Sequence, residues 1–107
     1  NSLKIIKDFK NKIAHVHCKD MREKVLKNSL SKDLSFRGAF LDGVFTVPGD
    51  GCIDYIPIFK ELKKNNYKGW LVVEAEQDPK KANPFKYAKI GYSYLIKAIK
   101  EAGLIME

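Results

Sequence analysis

Two periodicities of apolar residues alternate along this chain. Leu3, Ile6 and Phe9 fall at helical spacing in residues 2–11, which read as the tail of a helix. Residues 12–18, Lys-Ile-Ala-His-Val-His-Cys, alternate with a period of two and predict a strand. A long connection over 19–53 follows, with room for a short helix or two, and closes in Val47-Pro-Gly-Asp-Gly51, where proline and two glycines mark tight turns. Asp54 is placed as the N-cap of a helix over about 54–65 that buries Ile58, Phe59 and Leu62. After Gly69, residues 70–76 (Trp-Leu-Val-Val-Glu-Ala-Glu) predict a second strand. Asn83-Pro84 then opens a helix over about 84–102, with Phe85, Ala88, Tyr92, Leu95, Ile96 and Ile99 on its buried side and Gly103 as its stop.

Helix tail, strand, loop, helix, strand, loop, helix is the order of two βα units. Such units imply parallel strands joined by right-handed crossovers. Two parallel strands cannot cover their own edges, and a (β/α)8 barrel takes eight strands in about 250 residues. The expected fold is therefore α/β, the last two βα units of a TIM barrel, with residues 1–107 forming the end of one larger domain. By itself such a piece is expected to be inactive and to self-associate, or to pair with the rest of a barrel.

Composition narrows the setting. The chain has 107 residues, 45% hydrophobic and 11% aromatic, which suits a globular unit or a piece of one. Its formal charge of +7 comes mostly from lysines scattered over helix faces, a pattern that favours solubility over a nucleic-acid footprint. Nucleic-acid binding would call for arginine and aromatic residues interleaved along a loop. The opening residues have no apolar stretch like that of a secretory signal, and no run is long enough to cross a bilayer. Cys18 and Cys52 are too few for a disulfide framework and read as free thiols of a cytoplasmic protein.

The candidate chemistry follows from strand alternation. Ile13, His15 and His17 share one face of the first strand, and Ala14, Val16 and Cys18 the other. In the second strand Val72, Glu74 and Glu76 share a face opposite Leu71, Val73 and Ala75. If both strands belong to a barrel, the apolar sets pack on the helices. His17 and Glu74 then come near the C-terminal strand ends, where such barrels carry their active sites. Imidazole and carboxylate converging there suit a divalent metal such as Mn or Co. They suit equally a buried hydrogen-bonded pair that stiffens the barrel, because two ligands do not make a site. His15, one layer deeper, reads as a packing or orienting residue.

The 19–53 connection is too long for a plain βα loop and reads as a functional cover. Lys19 and Arg22 stand where they would reach a polar substrate, although each alone is also an ordinary surface residue. Asp50 is placed at the pocket mouth, or simply in a tight turn. Glu76 lies beside the polar turn Gln77-Asp-Pro79 and suits a solvated or substrate-contacting role. Trp70, at the far end of its strand, is expected to pack.

"IAHVHCKD", "GVFTVPGDGCIDY" and the text from Tyr67 through Leu95, including "GWLVVEAEQDPKKANP", resemble the C-terminal part of the inosose dehydratase family. That family belongs to the xylose-isomerase-like barrels, which also hold sugar epimerases and a metal-dependent endonuclease. The resemblance implies a metal held by four side chains, of which His17 and Glu74 are present here. It implies that Arg22 contacts substrate hydroxyls and that a carboxylate, Glu74 or a counterpart upstream of this chain, serves as a catalytic base. The implied reaction is dehydration of a cyclic polyol ketone to a trihydroxy dione. A sugar isomerase or epimerase, or a non-catalytic remnant, are the alternatives.

Overall fold

The computed structural model describes residues 1–107. Its elements are α1 (Ser2–Phe9), a 3-10 turn (Lys10–Lys12), β1 (Val16–Cys18), β2 (Asp20–Met21), α2 (Glu23–Ser31), α3 (Phe36–Asp42), β3 (Phe45–Thr46), α4 (Tyr55–Lys64), β4 (Leu71–Val73) and α5 (Pro84–Ala102). β1 and β4 pair in parallel, Val16 opposite Leu71, His17 opposite Val72 and Cys18 opposite Val73. β2 and β3 form a small antiparallel ladder, with Asp20 opposite Thr46 and Met21 opposite Phe45.

The parallel register decides what each face meets. Val16, Cys18, Leu71 and Val73 turn toward the helices and join a core made by Tyr55, Ile58, Phe59 and Leu62 of α4 with Leu95, Ala98, Ile99 and Ala102 of α5. α1 adds Ile6, and Asn65 of the α4 terminus donates to the Ile6 carbonyl at 3.3 Å. α5 lies so close to β4 that a Cβ at Gly91 would come within 2.7 Å of Val73 Cγ1. The helix ends follow local chemistry. Asp54 accepts from the Ile56 amide and Asn83 from the Lys86 amide, both at 3.0 Å, while Gly103 closes α5 at φ +71°.

Several expectations are corrected. The strands are shorter than 12–18 and 70–76, because β1 can pair only where β4 reaches. After Cys18 the chain leaves β4, and Asp20–Met21 turn to β3 instead. Before Val16, the 3-10 turn at Lys10–Lys12 interrupts the extended run, so Ile13 packs toward the helix core and not on the histidine face. α1 stops at Phe9, which is exposed. Phe85, Ala88 and Tyr92 are also exposed. The stripe of α5 that meets α4 and β4 runs instead through Gly91, Leu95, Ala98, Ile99 and Ala102. Trp70 does not pack; it is 75% exposed. The 19–53 connection is mostly structured, carrying α2, α3 and the β2–β3 ladder.

Only 18 of 107 residues are buried, as expected of two βα units whose sheet has no further strands on either edge. No helix is long and apolar enough to cross a membrane.

Burial pushes the Cys18 thiol up from 9.0 to about 12, because the thiolate would lie among apolar side chains. Between those values the unfolded chain gives up a proton that the folded chain keeps, so stability falls as pH rises from about 9 toward 12. Urea midpoints at rising pH are expected to drop for the native sequence and to drop less steeply in Cys18→Ala, where the buried Tyr55 phenol still contributes. An equal slope in both would contradict the assignment.

Candidate active site at the C-terminal ends of the parallel strands

The face of β1 and β4 turned away from the helices carries charge. Toward and past the C-terminal end of each strand, side chains meet along one repeated diagonal. His17, whose register partner is Val72, reaches forward so that Nδ1 lies 2.5 Å from Glu74 Oε2. One step further, Lys19 Nζ donates to Glu76 Oε2 at 3.0 Å. The step of two along both strands is the pleat itself, which returns alternate residues to one face. The Glu74 amide donates to the Cys18 carbonyl at 3.1 Å, so the backbone holds the first of these rungs in place just past the last paired residues.

Neither pair stabilises the fold much. The His17 and Glu74 side chains are 54% and 36% exposed, and pairs this open contribute about 0–1 kcal/mol. In this chain they do not form a buried stiffening pair. They stand on an accessible surface. His15 is exposed as well and sets its ring edge-on to His17, centroids 5.1 Å apart.

The third pair closes the cover. Arg22 Nη2 donates to Asp50 Oδ2 at 2.6 Å, to Thr46 Oγ1 at 3.1 Å and to the Tyr87 hydroxyl at 3.3 Å. Its Nη1 donates to the carbonyls of Gly43, at 2.7 Å, and Phe45, at 3.4 Å. The Thr46 hydroxyl donates to Asp50 Oδ2 at 2.6 Å, and Gln77 Nε2 lies 3.4 Å from Thr46 Oγ1. Asp50 is thus at the end of the Val47–Asp50 turn, where Pro48 and Gly49 (φ +90°) take the central positions, and its carboxylate is engaged within the chain.

Asp20 anchors the same segment from below. It is 1% exposed, and its Oδ1 accepts from the amides of Met21 (2.7 Å), Cys52 (2.9 Å) and Ile53 (3.1 Å). A Cβ at Gly51 would fall 2.1 Å from that oxygen, so only glycine lets the turn wrap the carboxylate. Hydrogen bonds to a charged acceptor contribute about 1.5–3 kcal/mol each, which makes Asp20 a principal fixing point of the cover. Beside it the Tyr55 hydroxyl donates to the Lys19 carbonyl at 2.7 Å, and burial pushes this phenol up, keeping its proton.

The residues singled out from sequence therefore gather as three pairs: His17 with Glu74, Lys19 with Glu76, Arg22 with Asp50. Sequence reasoning missed Asp20, Thr46, Tyr87 and Gln77. The Asp directly after a strand and the Pro-Gly turn were available signals for the first. Nothing local marks Tyr87, which reaches Arg22 across 65 residues. His17 and Glu74 could hold a metal ion by donor type, but no group of three His, Cys, Asp or Glu side chains gathers anywhere in the chain.

Parallel strands that send apolar residues to flanking helices and polar ones to their C-terminal ends fit part of a (β/α)-barrel. The family model for the xylose isomerase-like TIM barrel matches residues 3–103, and the chain belongs to that family. A protein named inosose dehydratase from Clostridium beijerinckii is 52% identical over 95 residues, covering 89% of this chain and 32% of its own length. The rhizopine catabolism protein MocC of Rhizobium meliloti is 53% identical over 92 residues, 86% of this chain and 28% of that protein. An inosose dehydratase of Lactiplantibacillus plantarum is 52% identical over 85 residues, 79% of this chain and 28% of its own. The chain spans about a third of the length of the curated relatives it matches.

Proposed function

We propose that this chain is the part of an inosose dehydratase, a carbon–oxygen lyase, that supplies two ligands of a divalent metal, His17 and Glu74. The observation that carries the proposal is the meeting of His17 Nδ1 and Glu74 Oε2 from separate strands at the C-terminal end of the sheet. Imidazole nitrogen and carboxylate oxygen are donors that Mn or Co accept, and both side chains are open to solvent on the face away from the core. The remaining ligands are assigned to the two-thirds of the relatives' length that lies beyond this match. When bound, the metal supplies Lewis-acid stabilisation of negative charge on a substrate oxygen.

The substrate proposed is scyllo-inosose, the 2-keto form of myo-inositol. With one oxygen of Glu74 given to the metal, its other oxygen would accept the proton on the carbon beside the ketone. The electron pair of that C–H bond moves into the ring as the hydroxyl on the next carbon departs. Returning the proton to the leaving hydroxyl makes water and leaves a ring enol, and transfer of the enol O–H proton to the carbon that lost the hydroxyl gives the trihydroxycyclohexane-dione. Lys19 has three N–H donors and spends one on Glu76, so the pair is suited to grip substrate hydroxyls. A cytoplasmic setting fits two cysteines that remain free thiols.

The chain on its own leaves an apolar groove of about 490 Å³ beside the open edge of β4, lined by Trp70, Leu71, Tyr92, Ile96 and Ile105. We assign to this face the closing contacts of the barrel in the complete protein, and self-association when these 107 residues stand alone. Light scattering of the isolated chain is expected to give a mass above the monomer's 12.2 kDa, and a monomer with sharp, dispersed amide signals would contradict this.

In the complete enzyme, Glu74→Gln is expected to abolish tight metal binding and inosose turnover, whereas Glu76→Gln keeps the metal and raises KM. His17→Ala is expected to weaken metal binding by more than the about ten- to hundredfold typical of outer-shell changes, and His15→Ala by less. Metal titration reads these losses independently of turnover. Loss of metal in Glu76→Gln with retention in Glu74→Gln would overturn the ligand assignment. Intact metal binding with isomerisation of a sugar, and no action on inosose, would move the protein to the epimerase branch.

A further inference from the structure

Arg22 sits where a substrate-binding arginine would stand, yet its donors face inward. The two Nη atoms carry four hydrogens and serve five acceptors, on Gly43, Phe45, Thr46, Asp50 and Tyr87. Its Cζ also lies 5.7 Å from the centre of the Tyr87 ring. To reach a ligand with these nitrogens, Arg22 would have to abandon a part-buried, charge-assisted network that ties β3, the Val47–Asp50 turn and α5 together. One consequence reaches the open face. The Phe45 backbone is held by the Arg22 Nη1 contact and by its ladder pairing with Met21, and the Phe45 ring lies 5.3 Å from Lys19 Nζ. Lys19 in turn donates to Glu76.

We propose that Arg22 is a positioning residue: through Phe45 it sets where the Lys19 ammonium stands, and Lys19 is the cation that meets a polyol substrate. This rests on the reading of the site as one that binds a polyol ketone. The assignment makes Thr46 informative. Its side chain is fully buried, so it cannot touch a substrate, but its hydroxyl bonds both Arg22 and Asp50. A change at Thr46 can reach the substrate only through the network.

The test uses the complete enzyme with Arg22→Lys, Thr46→Val and the double variant. It reads amide exchange over Gly43–Asp50, the rate of reductive methylation of Lys19, and KM and kcat for inosose. Each single variant is expected to speed exchange about tenfold, the scale of one lost charged hydrogen bond. Each should also raise Lys19 reactivity and KM by similar factors, with the double variant no worse than the singles. Arg22→Lys raising KM while exchange and Lys19 reactivity stay native, with Thr46→Val silent, would overturn the proposal and make Arg22 a substrate contact. Independent, multiplying effects of the two substitutions would overturn it as well. If the native enzyme does not act on inosose, the dehydratase reading fails, and exchange with Lys19 reactivity alone decides whether Arg22 positions Lys19.

Discussion

The parallel register between Val16–Cys18 and Leu71–Val73 is the constraint on which the other features depend. In a parallel pair, a slip of one residue would exchange the two faces of a strand. With the observed register, Cys18 and Val73 enter the helix core, and His17 and Glu74 emerge together on the opposite side. A one-residue shift of β4 would turn Leu71 and Val73 to the polar face and press Glu74 toward Phe59 and Leu95. Burying an unpaired carboxylate there would cost several kcal/mol, so the core itself selects the register that assembles the polar rungs. Packing and site geometry have one cause.

The cover over the strand ends is held by different means. Few of its apolar residues are buried: Leu30, Phe36 and Leu41 are exposed, and Val44 and Val47 are the main apolar anchors. Polar contacts substitute for a core. Asp20 gathers three amides beneath the turn, and Arg22 draws Gly43, Phe45, Thr46 and Asp50 together above it. The Arg22 network is fully partnered, whereas Asp20 Oδ2 is buried with no partner, and a buried charge left unpaired costs more than a formed pair contributes. The cover is therefore sensitive to single changes in a way that the α4–α5 core, with many small contacts, is not.

Where local chemistry decides, the sequence was readable. Asp54, Asn83 and Gly103 mark helix ends because caps act within three residues, and all three act as expected. Strand alternation sorted His17 and Glu74 from Cys18 and Val73 for the same reason. What escaped reading depends on how elements meet. Strand lengths are set by the partner's reach, so Ile13 and Ala75 look like strand residues without being paired. The rotation of α5 about its axis follows from the close approach of Gly91 to Val73, and it carries Tyr87 to Arg22 while leaving Phe85 and Tyr92 outside. The family resemblance implies a ligand pair and a reaction class, which are proposals here. It did not anticipate that Arg22 would spend its donors within the chain.

The register is open to direct measurement. Proton NOE spectra of this chain are expected to show cross-strand contacts between the backbones of Val16 and Leu71 and of Cys18 and Val73, with the Glu74 amide in slow exchange because it donates to the Cys18 carbonyl. Contacts displaced by one residue, or a Glu74 amide that exchanges as fast as an unprotected one, would contradict the account, since His17 and Glu74 would then have no common face on which to meet.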